Sequence, residues 1–148
     1  MLFGTRLVCA LSFLLPVFAA SANLAAGPVA TTAVATTAVG TLTVTDVKGL
    51  IDRNEAIYVY DANARESYLA GHVPGAQWIQ YDAVTAAKLP KSKDAKLVFY
   101  CYNPLCGASP LAAKDAGTLG YRNIWLMPEG ITGWRAARLP MVSGAKAR

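Results

Sequence analysis

Apolar and polar positions along this chain fall into one long apolar run followed by short alternating blocks. The run covers residues 7–20, is preceded by the single basic Arg6 and ends in Ala20-Ser21-Ala22. A basic start, an apolar middle and small residues at the end form the pattern of a secretory leader, here residues 1–22. Pro16 interrupts the run, which falls short of the ~20 apolar residues that span a bilayer. We therefore expect a removed leader rather than an anchor, an exported protein of the bacterial periplasm, and no membrane association after removal. Residues 23–40 form an Ala/Thr/Val tract with a short repeat, TTAVA then TTAVG, and no charge. It reads as a linker, with enough β-branched residues to leave room for an added edge strand.

From residue 41 to 143 the pattern becomes that of one folded domain, with residues 144–148 as a tail. Thr45 is a plausible N-cap for a helix over residues 46–53, where Val47, Leu50 and Ile51 share one face. Residues 56–60 (AIYVY) read as a buried strand ending at Asp61. A short helix over 65–70 precedes the turn-rich Gly71-His72-Val73-Pro74-Gly75-Ala76 and a short strand at 77–79. Residues 82–88 look helical, stopping before Pro90. Residues 96–100 (KLVFY) make the clearest strand and run straight into Cys101. After a loop, Ser109 followed by Pro110 suits an N-cap and first turn for a helix to about Thr118, closed by Gly120. A strand at 123–127 and a helix at 131–138 follow. Strand–helix alternation of this kind predicts an α/β domain with a mainly parallel central sheet flanked by helices.

Composition changes this picture little. The 54% hydrophobic content is inflated by the leader and the tract that follows it. The net charge of +5 comes from scattered Lys and Arg, without a cluster or a nucleic-acid motif, and gives no reason to expect a nucleic-acid partner. One histidine and no C-x-x-C argue against a four-ligand zinc site, and no motif calls for a metal or another cofactor.

Of the three cysteines, Cys9 leaves with the leader, so Cys101 and Cys106 remain. They form either a local bridge or a reactive pair. In parallel α/β sheets ligands gather beyond the carboxyl ends of the strands. Cys101 sits at such an end, before a loop that leads to a helix N-terminus, where backbone N–H groups and the helix dipole favour a thiolate. On the residues alone, a small buried hydrophobe remains an equal reading of Cys101.

The run Asp61-Ala62-Asn63-Ala64-Arg65-Glu66-Ser67-Tyr68, continued by Gly71-His72-Val73-Pro74-Gly75-Ala76, resembles the amino-terminal signature of rhodanese-like domains. Leu97-Val98-Phe99-Tyr100-Cys101 is similar to that family's strand ending in its sulfur-carrying cysteine. Residues 119–126 (LGYRNIWL) and Gly130-Ile131-Thr132-Gly133-Trp134 resemble its carboxy-terminal signature, including the Leu-Pro that follows. The resemblance runs over about residues 42–142 in the family's order. It implies a rhodanese-like fold and a sulfurtransferase or persulfide carrier in which Cys101 accepts a sulfane sulfur and passes it to a thiophilic acceptor. The partners would be a small sulfur-containing anion or persulfide donor and a protein thiol acceptor. The loop Tyr102, Asn103, Pro104, Leu105, Gly107, Ala108 and Ser109, with Cys106 inside it, would cradle the sulfur. Asp61 would close its strand and hold the next loop, while His72 and Trp134 would be architectural.

The chain also departs from the family. Asn63 and Ser67 replace an Arg and a Glu, which removes an ion pair. Glu129 replaces the first of two glycines. The active loop is longer than usual and lacks Arg and Lys, so thiosulfate-to-cyanide transfer is expected to be weak, although backbone N–H groups alone bind anions. The phosphatase relatives of the fold carry Cys-x5-Arg. Here Gly107 stands six after Cys101 and Ala112 six after Cys106, neither able to clamp a phosphate. Cys106 is placed to resolve a persulfide or sulfenic acid on Cys101, to form a structural bridge with it, or to pack as an inert thiol. Alternatives to the sulfurtransferase are thus an exported thiol–disulfide redox protein using both cysteines and a non-enzymatic rhodanese-like module that docks a partner.

Overall fold

The computed structural model describes residues 38–145. The expected leader, and most of the expected linker, lie outside the described residues. Five strands form one parallel sheet: β1 (Val39–Thr41), β2 (Ile57–Asp61), β3 (Gln77–Trp78), β4 (Lys96–Tyr100) and β5 (Ile124–Leu126), in the spatial order β1-β5-β4-β2-β3. The helices are α1 (Val44–Asp52), α2 (Arg65–Ala70), α3 (Ala108–Thr118) and α4 (Gly130–Ala136).

The period of two along β4 builds the molecule. Leu97, Phe99 and Cys101 face one side and join Tyr60, Ala62 and the small residues Ala112, Ala113 and Ala116 of α3. Val98 and Tyr100 face the other and join Val47 of α1, Val73, and Ile131 and Trp134 of α4. A strand buried on both faces reads as a continuous apolar run, which is why 97–100 stands out in the sequence. Central placement follows: β4 pairs with β2 along its whole length (Ile57↔Lys96 to Asp61↔Tyr100) and with β5 on its other edge. All the strands point the same way, so the segments that leave β2, β4 and β5 gather at one end of the sheet.

Several boundaries shift for identifiable reasons. Thr43, not Thr45, caps α1: its hydroxyl accepts from Asp46 N–H, while the Asp46 carboxylate accepts from Thr43 N–H, a reciprocal capping box that starts the helix two residues earlier. Val39 and Gly40, assigned above to the linker, pair with β5 as an edge strand. The helix expected over 82–88 is reduced to a 3-10 turn at Ala86–Lys88, because these residues are exposed or half-buried and have no apolar face whose burial offsets the cost of a helix. Ser109 lies inside α3, and Gly107 takes the cap position without a side-chain bond. Gly120 does end that helix region, at φ +89°. In the tail, Gly144 N–H donates to Leu69 O at 2.9 Å.

Candidate functional site

Cys101 immediately follows β4. It is 2% exposed and packs in the same core cluster as Phe99, Ala62 and Ile79. Its backbone is held from the other side of the sheet: Ile131 N–H donates to Cys101 O at 2.9 Å and Thr132 N–H to Tyr102 O at 3.0 Å. Gly130 makes this approach feasible. It adopts φ +61°, and a Cβ there would stand 2.5 Å from Cys101 O and 2.6 Å from Tyr102 O. The start of α4 therefore clamps the end of β4.

Two groups meet the Cys101 sulfur. Ser109 Oγ lies 3.3 Å from Sγ, is 5% exposed and donates its hydrogen bond to the sulfur. Cys106 is joined to Cys101 in a disulfide, with 6.3 Å between the Cα atoms. Cys101 Sγ also lies 3.3 Å from Cys106 O, a contact that becomes an S–H donor bond only when the bridge is open. Cys106 is half-buried at the edge of the same cluster.

The intervening loop is a compact turn. Asn103 Oδ1 accepts from Leu105 N–H and Asn103 O accepts from Cys106 N–H, each at 3.0 Å. These amides point at Asn103 rather than at the sulfur, so in the bridged state Ser109 supplies the hydrogen bond that an amide cradle would give. Tyr102, Pro104, Leu105 and Gly107 are exposed, whereas Asn103 and Ala108 are half-buried. No residue from Leu97 to Ala113 is charged. Sequence reasoning placed Ser109 in the loop but took its hydroxyl for a helix cap. No local signal separates the two starts: the first-turn N–H groups have no intrahelical partner, so Pro110 fits a helix beginning after Gly107 as well as one beginning after Ser109.

The remaining motif residues surround this site without touching the sulfur. Asp61 is fully buried at the end of β2. Its carboxylate accepts from Tyr100 Oη at 2.6 Å and from Asn63 N and Nδ2 at 2.8 Å each. Burial raises the Asp61 carboxyl above its ordinary value, an effect opposed by the bonds from Tyr100 and Asn63. Tyr100 is pushed strongly upward by its own burial and by the Asp61 charge, so its hydroxyl stays a donor. The same hydroxyl accepts from Val73 N–H at 3.1 Å. His72 is fully buried, its Nδ1 2.8 Å from Tyr68 O and its ring stacked on Tyr68 with 3.8 Å between centroids. Its backbone exchanges hydrogen bonds with Val142 in both directions, and its Nε2 has no partner. Trp134 is fully buried and donates to Pro140 O at 2.8 Å. Glu129, just before α4, keeps its Oε2 buried without a hydrogen-bond partner. Among the described residues there is no cluster of His, Cys, Asp and Glu able to hold a metal ion.

The rhodanese-like domain family model matches residues 43–137. An HTH-type transcriptional regulator of Mycobacterium tuberculosis is 33% identical over 98 residues, which is 65% of this chain and 43% of that protein. The chain thus spans less than half the length of that regulator. The thiosulfate sulfurtransferase GlpE of Pseudoalteromonas translucida is 25% identical over 96 residues, covering 65% of this chain and 89% of that enzyme. Among solved structures, the BH2092 protein of Bacillus halodurans superposes with a TM-score of 0.65 at 26% identity, over 72% of this chain and 78% of that one.

Proposed function

The chain belongs to the rhodanese-like domain family, and on that premise we propose that it is a sulfurtransferase whose sulfur-carrying residue is Cys101. The observation that carries this reading is the position of Cys101: it terminates the central strand, is enclosed by α3, and receives a hydrogen bond from Ser109. With the bridge open, the Cys101 thiolate attacks the outer sulfur of a persulfide or polysulfide. A sulfur–sulfur bond forms on Cys101, the bond within the donor breaks, and the donor leaves as a thiolate or shortened polysulfide. A thiol or cyanide then attacks the terminal sulfur and restores the Cys101 thiolate.

The loop steers the choice of donor. With no Lys or Arg between Leu97 and Ala113, the loop itself offers a sulfonate no cation to pair with, and its amides at Leu105 and Cys106 are engaged by Asn103. Polysulfides and organic persulfides are therefore the better donors, and thiosulfate the poorer one. Export to the periplasm, read from the leader, belongs to this proposal.

One observation favours a second reading. The Cys101–Cys106 bridge gives the site the two sulfurs that a thiol–disulfide redox protein needs. Reduced protein supplied with cyanide separates the two. The sulfurtransferase reading expects thiocyanate with polysulfide as donor, and at least about ten-fold less with thiosulfate, the scale of one missing charge-assisted hydrogen bond. Absence of thiocyanate with both donors would leave the redox reading.

A further inference from the structure

We propose that a partner protein's thiol opens the Cys101–Cys106 bridge at Cys106, and that the partner docks on the uncharged rim formed by Tyr102, Pro104, Leu105 and Leu111. This rests on the reading above only in taking Cys101 as the sulfur to be set free.

The two sulfurs differ in access and in leaving ability. A thiolate must reach a disulfide sulfur from the side away from its partner. Cys101 is 2% exposed among Phe99, Ala62 and Ala112, which closes that approach, whereas Cys106 is half-buried at the loop surface. Attack at Cys106 expels Cys101 as a thiolate, and that anion keeps the Ser109 hydroxyl 3.3 Å away and faces the start of the eleven-residue α3. Access and leaving-group stability select the same bond cleavage.

The surroundings of Cys106 describe the attacker. Leu105, its immediate neighbour, is 93% exposed, and Leu111 and Tyr102 are about half exposed at 50% and 49%. The Asn103 turn holds Leu105 outward, so this exposure is built into the loop. Apolar side chains displayed on the loop that carries a reactive sulfur and on the helical turn that follows it, in a stretch without charge, match a protein cysteine that is itself flanked by uncharged apolar residues. A small charged thiol gains nothing from such a rim. A few exposed side chains fall far below the ~800 Å² per partner of a stable complex, so the encounter is transient.

In the first step the partner thiolate bonds to Cys106 Sγ, the Cys101–Cys106 bond breaks, and Cys101 leaves as a thiolate. A second thiol of the same partner then attacks its own sulfur in the mixed disulfide and releases the Cys106 thiolate. The partner, a protein dithiol, ends as a disulfide, and its two electrons reduce the bridge to two thiols.

The test uses the oxidised full chain and three thiol probes: a cysteine peptide with Leu and Val flanks, one with Glu flanks, and 2-mercaptoethanol. Reactions are quenched with iodoacetamide and mapped by fragment ions, and each rate is normalised to that probe's rate toward hydroxyethyl disulfide. We expect the peptide on Cys106 and the alkyl group on Cys101. We also expect the apolar peptide to be about ten-fold faster than the acidic one, the scale of burying one leucine. Leu105→Ser removes that advantage and leaves the 2-mercaptoethanol rate unchanged. The proposal is overturned by a peptide on Cys101, by equal normalised rates, by a Leu105→Ser effect shared with 2-mercaptoethanol, or by an oxidised chain without the bridge. Sulfur loading of the reduced protein is measured separately, so failure of Cys101 to carry sulfur would refute the sulfurtransferase reading and leave this mapping standing.

Discussion

Asp61 and Tyr100 stand opposite each other in the register of β2 and β4, and the Tyr100 hydroxyl donates to Asp61 Oδ2 at 2.6 Å. Because that hydroxyl also accepts from Val73 N–H, one buried pair joins two strands to the Gly71–Ala76 segment, one residue before Cys101. Tyr100→Phe removes a donor from a buried carboxylate and strands a buried N–H. It should cost about 1–3 kcal/mol, seen as a lower guanidinium midpoint. An unchanged midpoint would show that the pair contributes nothing to stability.

The same carboxylate carries a pH dependence. Burial raises the Asp61 carboxyl above its ordinary 3.8, so the folded chain holds that proton more tightly than the unfolded chain. Its contribution to stability is therefore complete below 3.8 and declines as pH rises through the folded value. Asp61→Asn should remove this part of the slope when stability is followed by denaturation from acidic to neutral pH. A wild-type slope retained in Asp61→Asn would assign the dependence to another group.

Ser109 is a positioning residue with a distinct signature. Ser109→Ala leaves α3 intact but takes the hydroxyl from the Cys101 thiolate. The alkylation rate of reduced Cys101 should fall about ten-fold, with its pH profile moved upward, as expected for loss of a hydrogen bond to an anion. Rescue by Ser109→Thr, and an unaltered alkylation rate at Cys106, distinguish this from a general loosening of the loop.

Gly130 tests the clamp on the other face of the sheet. A methyl group there meets Cys101 O and Tyr102 O and must also adopt φ +61°. Gly130→Ala should destabilise the domain by about 2 kcal/mol or more. It should also speed amide hydrogen exchange at Ile131 and Thr132, whose N–H groups close the contact. Exchange unchanged from wild type would mean that the clamp adapts.

What the sequence reveals depends on how local the cause is. β4 is legible because both its faces are buried, and the ordered motifs around Asp61, Cys101 and Trp134 are enough to anticipate a rhodanese-like α/β domain. The Thr43–Asp46 capping box was also legible as T-x-x-D, but Thr45 competes for the same helix. The helix expected over 82–88 fails because propensity says nothing about the absence of a core to cover it. Ser109 is the instructive case. Its hydroxyl suits a cap locally, and only the tertiary meeting of α3 with the end of β4 turns it toward Cys101. Spacing shows that Cys106 can reach Cys101, whereas their difference in burial, which orders their chemistry, exists only in the fold.

Whether Cys101 carries the sulfur is decided by mass spectrometry of the reduced chain after exposure to polysulfide. We predict one added sulfur atom on Cys101, removed by cyanide, present in Cys106→Ser and absent in Cys101→Ser. Sulfur that follows Cys106, or a reduced Cys101 that takes up none, would refute Cys101 as the sulfur carrier.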